Sequence, residues 1–221
     1  MARSGIVRII FWITVILELV LIFMEQNEWR WATKPLLMPL LMGILWVEKK
    51  NVVYFPLLAG ALLLSWCGDV LLQMEGLFIP GLVSFLLAHI CYIIYFVKRT
   101  SGKTGMLKKK PALLIPVLIY ILLFLYLLFP YLGVMKLPVT IYGITIGTML
   151  LMSIHTMGTI SYKTSLYFIT GAVLFVTSDS ILAVNLFAVK YTMLSLAVML
   201  TYASAQYLIV SGAVLPGSKT D

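Results

Sequence analysis

From Pro111 to Phe129 the chain carries no charged side chain, and apolar runs of similar length recur from one end to the other. A helix rises 1.5 Å per residue, so about 20 such residues cross a hydrocarbon core of about 30 Å. In lipid every backbone N–H and C=O must find a partner within the protein, which leaves helices or closed barrels. The period-2 alternation of a barrel strand is absent, so these runs predict helices. Composition agrees: of 221 residues 62% are hydrophobic and 11% charged, too little charge to cover a soluble domain of this size. The expected fold class is an all-α integral membrane protein, with residues 1–221 forming a single transmembrane helical domain.

About eight transmembrane helices are expected, near residues 6–24, 33–47, 52–73, 77–97, 111–129, 138–157, 165–189 and 191–215. Arg3 and Arg8 precede the first run as in a signal peptide. No small-x-small cleavage pattern follows, so it reads as a retained helix. The tail from Pro216 reads as polar and unstructured. An even number of spans puts both termini on one side. Sorting the 16 Lys and Arg by loop then leaves Arg30, Lys34, Lys136 and Lys190 on the far side and the rest beside the termini. By the positive-inside rule the expected location is the cell membrane, with both termini cytoplasmic. The net charge of +8 therefore belongs to topology and to contact with anionic membrane lipids, above all in the loop from Lys98 to Lys110. No nucleic-acid partner is expected. Cys67 and Cys91 both lie in apolar runs and read as small buried hydrophobes, with no CxxC motif.

A weak internal echo is visible. Gly60-Ala61 precedes Asp69 much as Gly171-Ala172 precedes Asp179, and Pro35 opens the second span as Pro138 opens the sixth. Two readings stand: two parallel four-helix halves, or chance similarity between apolar helices.

Asp69 and Asp179 are the expensive residues. A charge at the centre of a membrane helix costs roughly 2.5–3.5 kcal/mol on insertion scales, and it is kept where it faces a polar interior. No Lys or Arg is expected at their depth to neutralise them. Asp69 falls about 26 Å along its span and Asp179 roughly 21 Å along one running the same way. Both are expected in the outer half of the bilayer. His89 lies about three turns into its span, with Tyr92 at i+3 on the same face, and Tyr202 and Gln206 make an i, i+4 polar stripe. Lys34 stands at the outer mouth of the second span. One cavity lined by these residues is expected. Blander roles compete: Glu18 as a partner for a neighbouring helix, His89 as a core histidine, Lys34 snorkelling to the interface. Ser65, Ser178 and Ser180 read first as helix-packing residues. There is no G-x-S-x-G elbow.

The motifs taken together are Lys34-Pro35, Ser65-x-x-Gly68-Asp69-x-x-Leu72, and Phe78-x-x-Gly81-x-x-x-Phe85-x-x-x-His89-x-x-Tyr92. Further along come Gly171-Ala172-x-x-Phe175-x-x-Ser178-Asp179-Ser180-x-Leu182-Ala183 and Tyr202-x-x-Ala205-Gln206-x-Leu208-Ile209. This set resembles the YhhN family of multi-pass membrane proteins, which includes the mammalian lysoplasmalogenases; His155 in the sixth span is its least typical feature. The resemblance implies hydrolysis of the vinyl-ether bond of a lysophospholipid substrate, to a fatty aldehyde and a glycerophospho-base. Vinyl-ether hydrolysis needs an acid that protonates carbon and an anion beside the resulting oxocarbenium ion, as in glycosidase carboxylate pairs. Asp69 and Asp179 are expected to share those roles, with His89 orienting a carboxyl or relaying a proton. Lys34 is expected to hold the lipid phosphate and Tyr202 or Gln206 to position water. Tyr92 and Ser178 complete the substrate-binding set. No metal or cofactor is expected. Two alternatives remain open: a metal-dependent hydrolase with Asp69, His89 and Asp179 as ligands, and a proton-coupled small-molecule or lipid transporter using the same Asp pair. Oligomeric state is not legible.

Overall fold

The computed structural model describes residues 2–215, with side chains from Ser4 onward, so the tail from Pro216 lies outside the described residues. In chain order the helices are α1 (Ala2–Phe23), α2 (Asn27–Thr33), α3 (Leu37–Val47), α4 (Phe55–Gln73) and α5 (Phe78–Thr100). They continue with α6 (Met106–Lys109), α7 (Leu114–Leu128), α8 (Lys136–His155), α9 (Tyr162–Phe187) and α10 (Thr192–Ala213). Among the described residues there is no strand. Seven segments, those built on α1, α4, α5, α7, α8, α9 and α10, are long and apolar enough to cross a membrane. The chain is an all-α, multi-pass membrane protein.

The second expected span departs from its sequence reading. α3 has 11 residues, too short at 1.5 Å each to cross alone. The polar stretch before it is helical as well: α2 occupies it, and a 3₁₀ turn at Lys34–Leu36 joins α2 to α3. Asn27–Val47 is thus one broken leg. The break has a cause in Pro39, which has no N–H to give to the carbonyl four residues earlier, that of Pro35. Trp66 of α4 supplies the missing donor, its indole Nε1 lying 2.9 Å from the Pro35 oxygen.

The direction of the outer helices shows that this leg counts. Arg8, early in α1, donates to Tyr207 Oη at 3.0 Å and Ser211 Oγ at 2.8 Å, late in α10. At the other end Thr192, which opens α10, donates to Glu25 just past α1 at 2.9 Å. α1 and α10 are therefore antiparallel, which requires an even number of legs; with the broken leg there are eight.

The packing order of the first half recurs in the second. α1 packs on α3, α3 on α4 and α4 on α5; likewise α7 packs on α8, α8 on α9 and α9 on α10. Across the halves α3 meets α10 and α8 meets α5. The two closest hairpins, α4 with α5 and α9 with α10, rest on glycine, as expected where lipid leaves packing to hold helices together. A Cβ on Gly68 would stand 2.5 Å from the Phe85 ring, and one on Gly171 would stand 3.0 Å from the Ala205 carbonyl oxygen. Cys67 and Cys91 are only half-buried, because each turns partly off the packed face of its helix. The loop after α5 is ordered in part by α6 and by Lys103, whose ammonium donates to the Thr159 carbonyl at 2.9 Å.

Candidate active site

Asp69 sits near the C-terminal end of α4, one turn past the tryptophan that clips the broken leg in place. The clip sets the leg's lysine against the carboxylate: Lys34 Nζ lies 3.5 Å from Asp69 Oδ1. Tyr202 of α10 donates to the other oxygen, Oδ2, at 2.7 Å. The carboxylate is almost fully enclosed, 2% exposed. The expectation that no cation reaches this depth is therefore corrected. Lys34 enters at the break, and its four-carbon stem carries the ammonium inward instead of out to the interface. Lys34, expected to hold the lipid phosphate, is engaged by Asp69 in this structure.

Asp179 sits in the C-terminal half of α9. Tyr142 of α8 donates to its Oδ2 at 2.5 Å, and His89 Nε2 of α5 lies 3.9 Å from the same oxygen. That separation is proximity and not a hydrogen bond. His89 is fully buried, its ring edge-on to Phe175 and Tyr142 at centroid distances of 4.6 and 5.3 Å. Nε2, the nitrogen that faces Asp179, has no hydrogen-bond partner. Among the described residues no Lys or Arg forms an ion pair with Asp179, so its surroundings differ in charge from those of Asp69.

Both carboxyls line one cavity of about 220 Å³. Lys34, Arg30, Tyr142, Ser178 and Tyr202 share its wall, with Asn185 and Ser195 also lining it; the remainder is apolar, including Leu72, Phe78, Leu82 and Phe85 of α4 and α5. Pockets for whole small molecules run to roughly 300–1,000 Å³. This one is smaller, and most of its wall is apolar.

Three expected site residues stand behind the wall and not on it. His89 backs Asp179. Tyr92 donates to Gln206 Oε1 at 2.5 Å, and Gln206 Nε2 donates to Ser65 Oγ at 3.0 Å, a buried chain that fixes α4, α5 and α10 behind Tyr202. Tyr92 and Gln206 are themselves fully buried, so they are corrected from substrate contacts to supports. Ser178 lines the cavity but spends its hydroxyl on the Val198 carbonyl at 3.0 Å. Glu18, fully buried, accepts from Arg30 Nε at 2.9 Å and from the Thr33 hydroxyl. Sequence reading missed Tyr142 and Arg30. A tyrosine one turn into the sixth span was the available signal for the first, and the i, i+4 spacing of Arg30 from Lys34 was the signal for the second. Among the described residues no three His, Cys, Asp or Glu side chains come together as a metal site.

The geometry can be set beside known proteins. Lysoplasmalogenase TMEM86B of Homo sapiens is 34% identical over 203 residues, spanning 89% of this chain and 81% of that protein. The Rattus norvegicus protein of the same name is 30% identical over 207 residues, 90% of this chain and 81% of the relative. A lysoplasmalogenase of Mycobacterium bovis is 28% identical over 163 residues, 70% of this chain and 59% of the relative. No solved structure matches the chain. The model of the YhhN family matches residues 29–213, from the broken leg through the last helix of the bundle, and the chain belongs to that family.

Proposed function

We propose that this protein hydrolyses the vinyl-ether bond of lysoplasmalogens inside the membrane, releasing a fatty aldehyde and a glycerophospho-base. The observation that carries the reading is the pair of carboxyls in one cavity, one facing an ammonium and the other facing none. The named activity of the relatives points to the same substrate class.

In the proposed reaction the Asp179 carboxyl, with no cation opposing it, delivers a proton to the vinyl carbon remote from the ether oxygen. The C=C electron pair forms the new C–H bond, and the adjacent carbon becomes an oxocarbenium ion. The Asp69 carboxylate, held by Lys34 and Tyr202, stabilises that cation and takes a proton from the water that attacks it. The hemiacetal so formed collapses, its ether oxygen leaving with a proton as the glycerol hydroxyl. Tyr142 aims Asp179 and His89 stands behind it; as the hemiacetal collapses, its hydroxyl proton passes to Asp179 and the proton held by Asp69 goes to the departing oxygen, which restores both carboxyls for the next turnover. With the termini cytoplasmic, the cavity lies toward the outer leaflet.

The test is product analysis. Purified protein given an alkenyl-glycerophosphoethanolamine in D₂O should release a fatty aldehyde carrying one deuterium on its α-carbon at early times. Recovery of the lipid unchanged would overturn the reading. The recurrence of packing between the halves favours transport as the second reading. Accumulation of intact lipid or small solute in proteoliposomes, with no aldehyde formed, would establish that instead.

A further inference from the structure

We propose that Arg30 is the phosphate-binding residue of this cavity, receiving the phosphodiester of a lysophospholipid headgroup. The inference rests on the reading that the cavity takes such a lipid. Among the described residues two cations line the wall, Arg30 and Lys34, and the ammonium of Lys34 faces Asp69 at 3.5 Å. Arg30 stands one helical turn farther out along the same leg. Its side chain remains 23% exposed, while its partner Glu18 is wholly enclosed.

The guanidinium is held from behind. Nε donates to Glu18 at 2.9 Å and Nη1 donates to Asn27 Oδ1 at 3.2 Å. Glu18 is itself fixed by the Thr33 hydroxyl. Arginine has five N–H donors, so the remaining protons lie on the two terminal nitrogens, the edge that meets a phosphate in a paired geometry. A fork already oriented by its neighbours loses little entropy on binding. Lysine would give only a point charge there.

The spacing suits the ligand. Four residues of helix separate Arg30 from Lys34, roughly 6 Å of rise. In a lysoplasmalogen five single bonds join phosphorus to the vinyl-ether oxygen, an extended reach of roughly 6 Å on the scale of backbone geometry. A phosphate on Arg30 thus places the vinyl ether at the level where Lys34 meets Asp69. Charge balances as well. Arg30 is matched by Glu18 and Lys34 by Asp69, and a zwitterionic headgroup enters without adding net charge.

The test uses binding, so it does not depend on turnover. A non-cleavable 1-alkyl-glycerophosphocholine and the corresponding phosphate-free 1-alkylglycerol are each titrated into the purified full-length protein. Arg30→Gln alone would leave Glu18 buried without its partner, so the Glu18→Gln/Arg30→Gln double variant is compared with Arg30→Lys. The double variant should weaken the phospho-lipid about tenfold or more and the alkylglycerol less than twofold, with Arg30→Lys between. Equal weakening of both ligands, or no weakening of either, would overturn the proposal; should the double variant fail to fold, the same comparison in Arg30→Lys decides. Phosphate-selective binding without any aldehyde release would refute the hydrolysis reading and leave this one standing. Aldehyde release with unaltered selectivity in the variants would do the reverse.

Discussion

Asp69 stands on α4 between a lysine from the leg before it and a tyrosine from α10, while Asp179 stands on α9 between a tyrosine from the helix before it and a histidine from α5. The positions correspond. Each aspartate is on the third leg of its half, and each is met by one residue from the second leg of the same half and one from the fourth leg of the other. The occupants differ. A fixed positive charge faces Asp69, and an imidazole nitrogen that makes no hydrogen bond faces Asp179; the side chains are 2% and 13% exposed. A symmetric frame with asymmetric occupants lets two like residues take unlike roles, the arrangement an acid–base pair requires.

Replacing the two aspartates in turn gives the largest expected effects and the most direct way to break the comparison. Asp179→Asn removes the proposed acid and should lower turnover about 10²–10⁴-fold, with little change in thermal unfolding, since no ion pair is lost. Asp69→Asn should lower turnover as well, and it strands the Lys34 ammonium. Removing one member of a buried pair costs about 3–5 kcal/mol, and the partial exposure of Lys34 puts this case near the lower figure. Activity assays beside melting curves separate the two. A stable Asp69→Asn and an unstable Asp179→Asn would invert the assignment.

The same pair can be tested from the cation's side. Lys34→Met leaves an enclosed carboxylate unpaired and should destabilise about as much as Asp69→Asn. The double variant Lys34→Met/Asp69→Asn should recover stability, with a coupling of about 1–3 kcal/mol, yet remain inactive. Additive losses in melting experiments would mean that the two groups do not act as a pair.

How much of this was legible follows from the same residues. Asp69 and Asp179 declare themselves because an ionisable group inside a long apolar run has few structural reasons to persist. Depth follows from counting, since rise per residue is fixed, and so both could be assigned to one level. The partners were harder to read. Lys34 looks interfacial from its position before Pro35. Only the carbonyl orphaned by Pro39, and Trp66 reaching across to it, turn that lysine inward. Tyr142 is one tyrosine among 12, and nothing local distinguishes a tyrosine that bonds a carboxylate from one that sits in the headgroup belt. Tyr92 and Gln206 read as polar residues lining the cavity, but the sequence cannot say whether such a pair faces a cavity or bonds to itself.

The two tyrosines sharpen the comparison on a smaller scale. Each donates to one carboxyl oxygen, Tyr202 to Asp69 and Tyr142 to Asp179. A hydrogen bond to a charged group contributes about 1.5–3 kcal/mol. Tyr202→Phe should therefore appear mainly in stability, because Lys34 still holds Asp69 through its other oxygen. Tyr142→Phe should appear mainly in turnover, because it releases the proposed acid from its orientation. Steady-state rates and melting temperatures measured on both variants would show whether the split exists; matching profiles would erase the distinction between the two sites.

Ser178 supplies the smallest effect and a control on the rest. It adjoins Asp179 and lines the cavity, which makes it look like a nucleophile or a substrate contact. Its hydroxyl, however, donates to the Val198 carbonyl of α10, and the oxygen that remains can only accept. A hydroxyl bonded across a helix pair in a membrane contributes about 0.6 kcal/mol on average. Ser178→Ala should thus lower stability by about that amount, since the carbonyl it bonds is already part of α10. Turnover should fall less than twofold, within the small shift in Asp179 that loosening the α9–α10 contact allows. A loss comparable to that of Asp179→Asn would move the proton chemistry from the carboxyl to the hydroxyl beside it, and the contrast between the two aspartates would no longer explain the site.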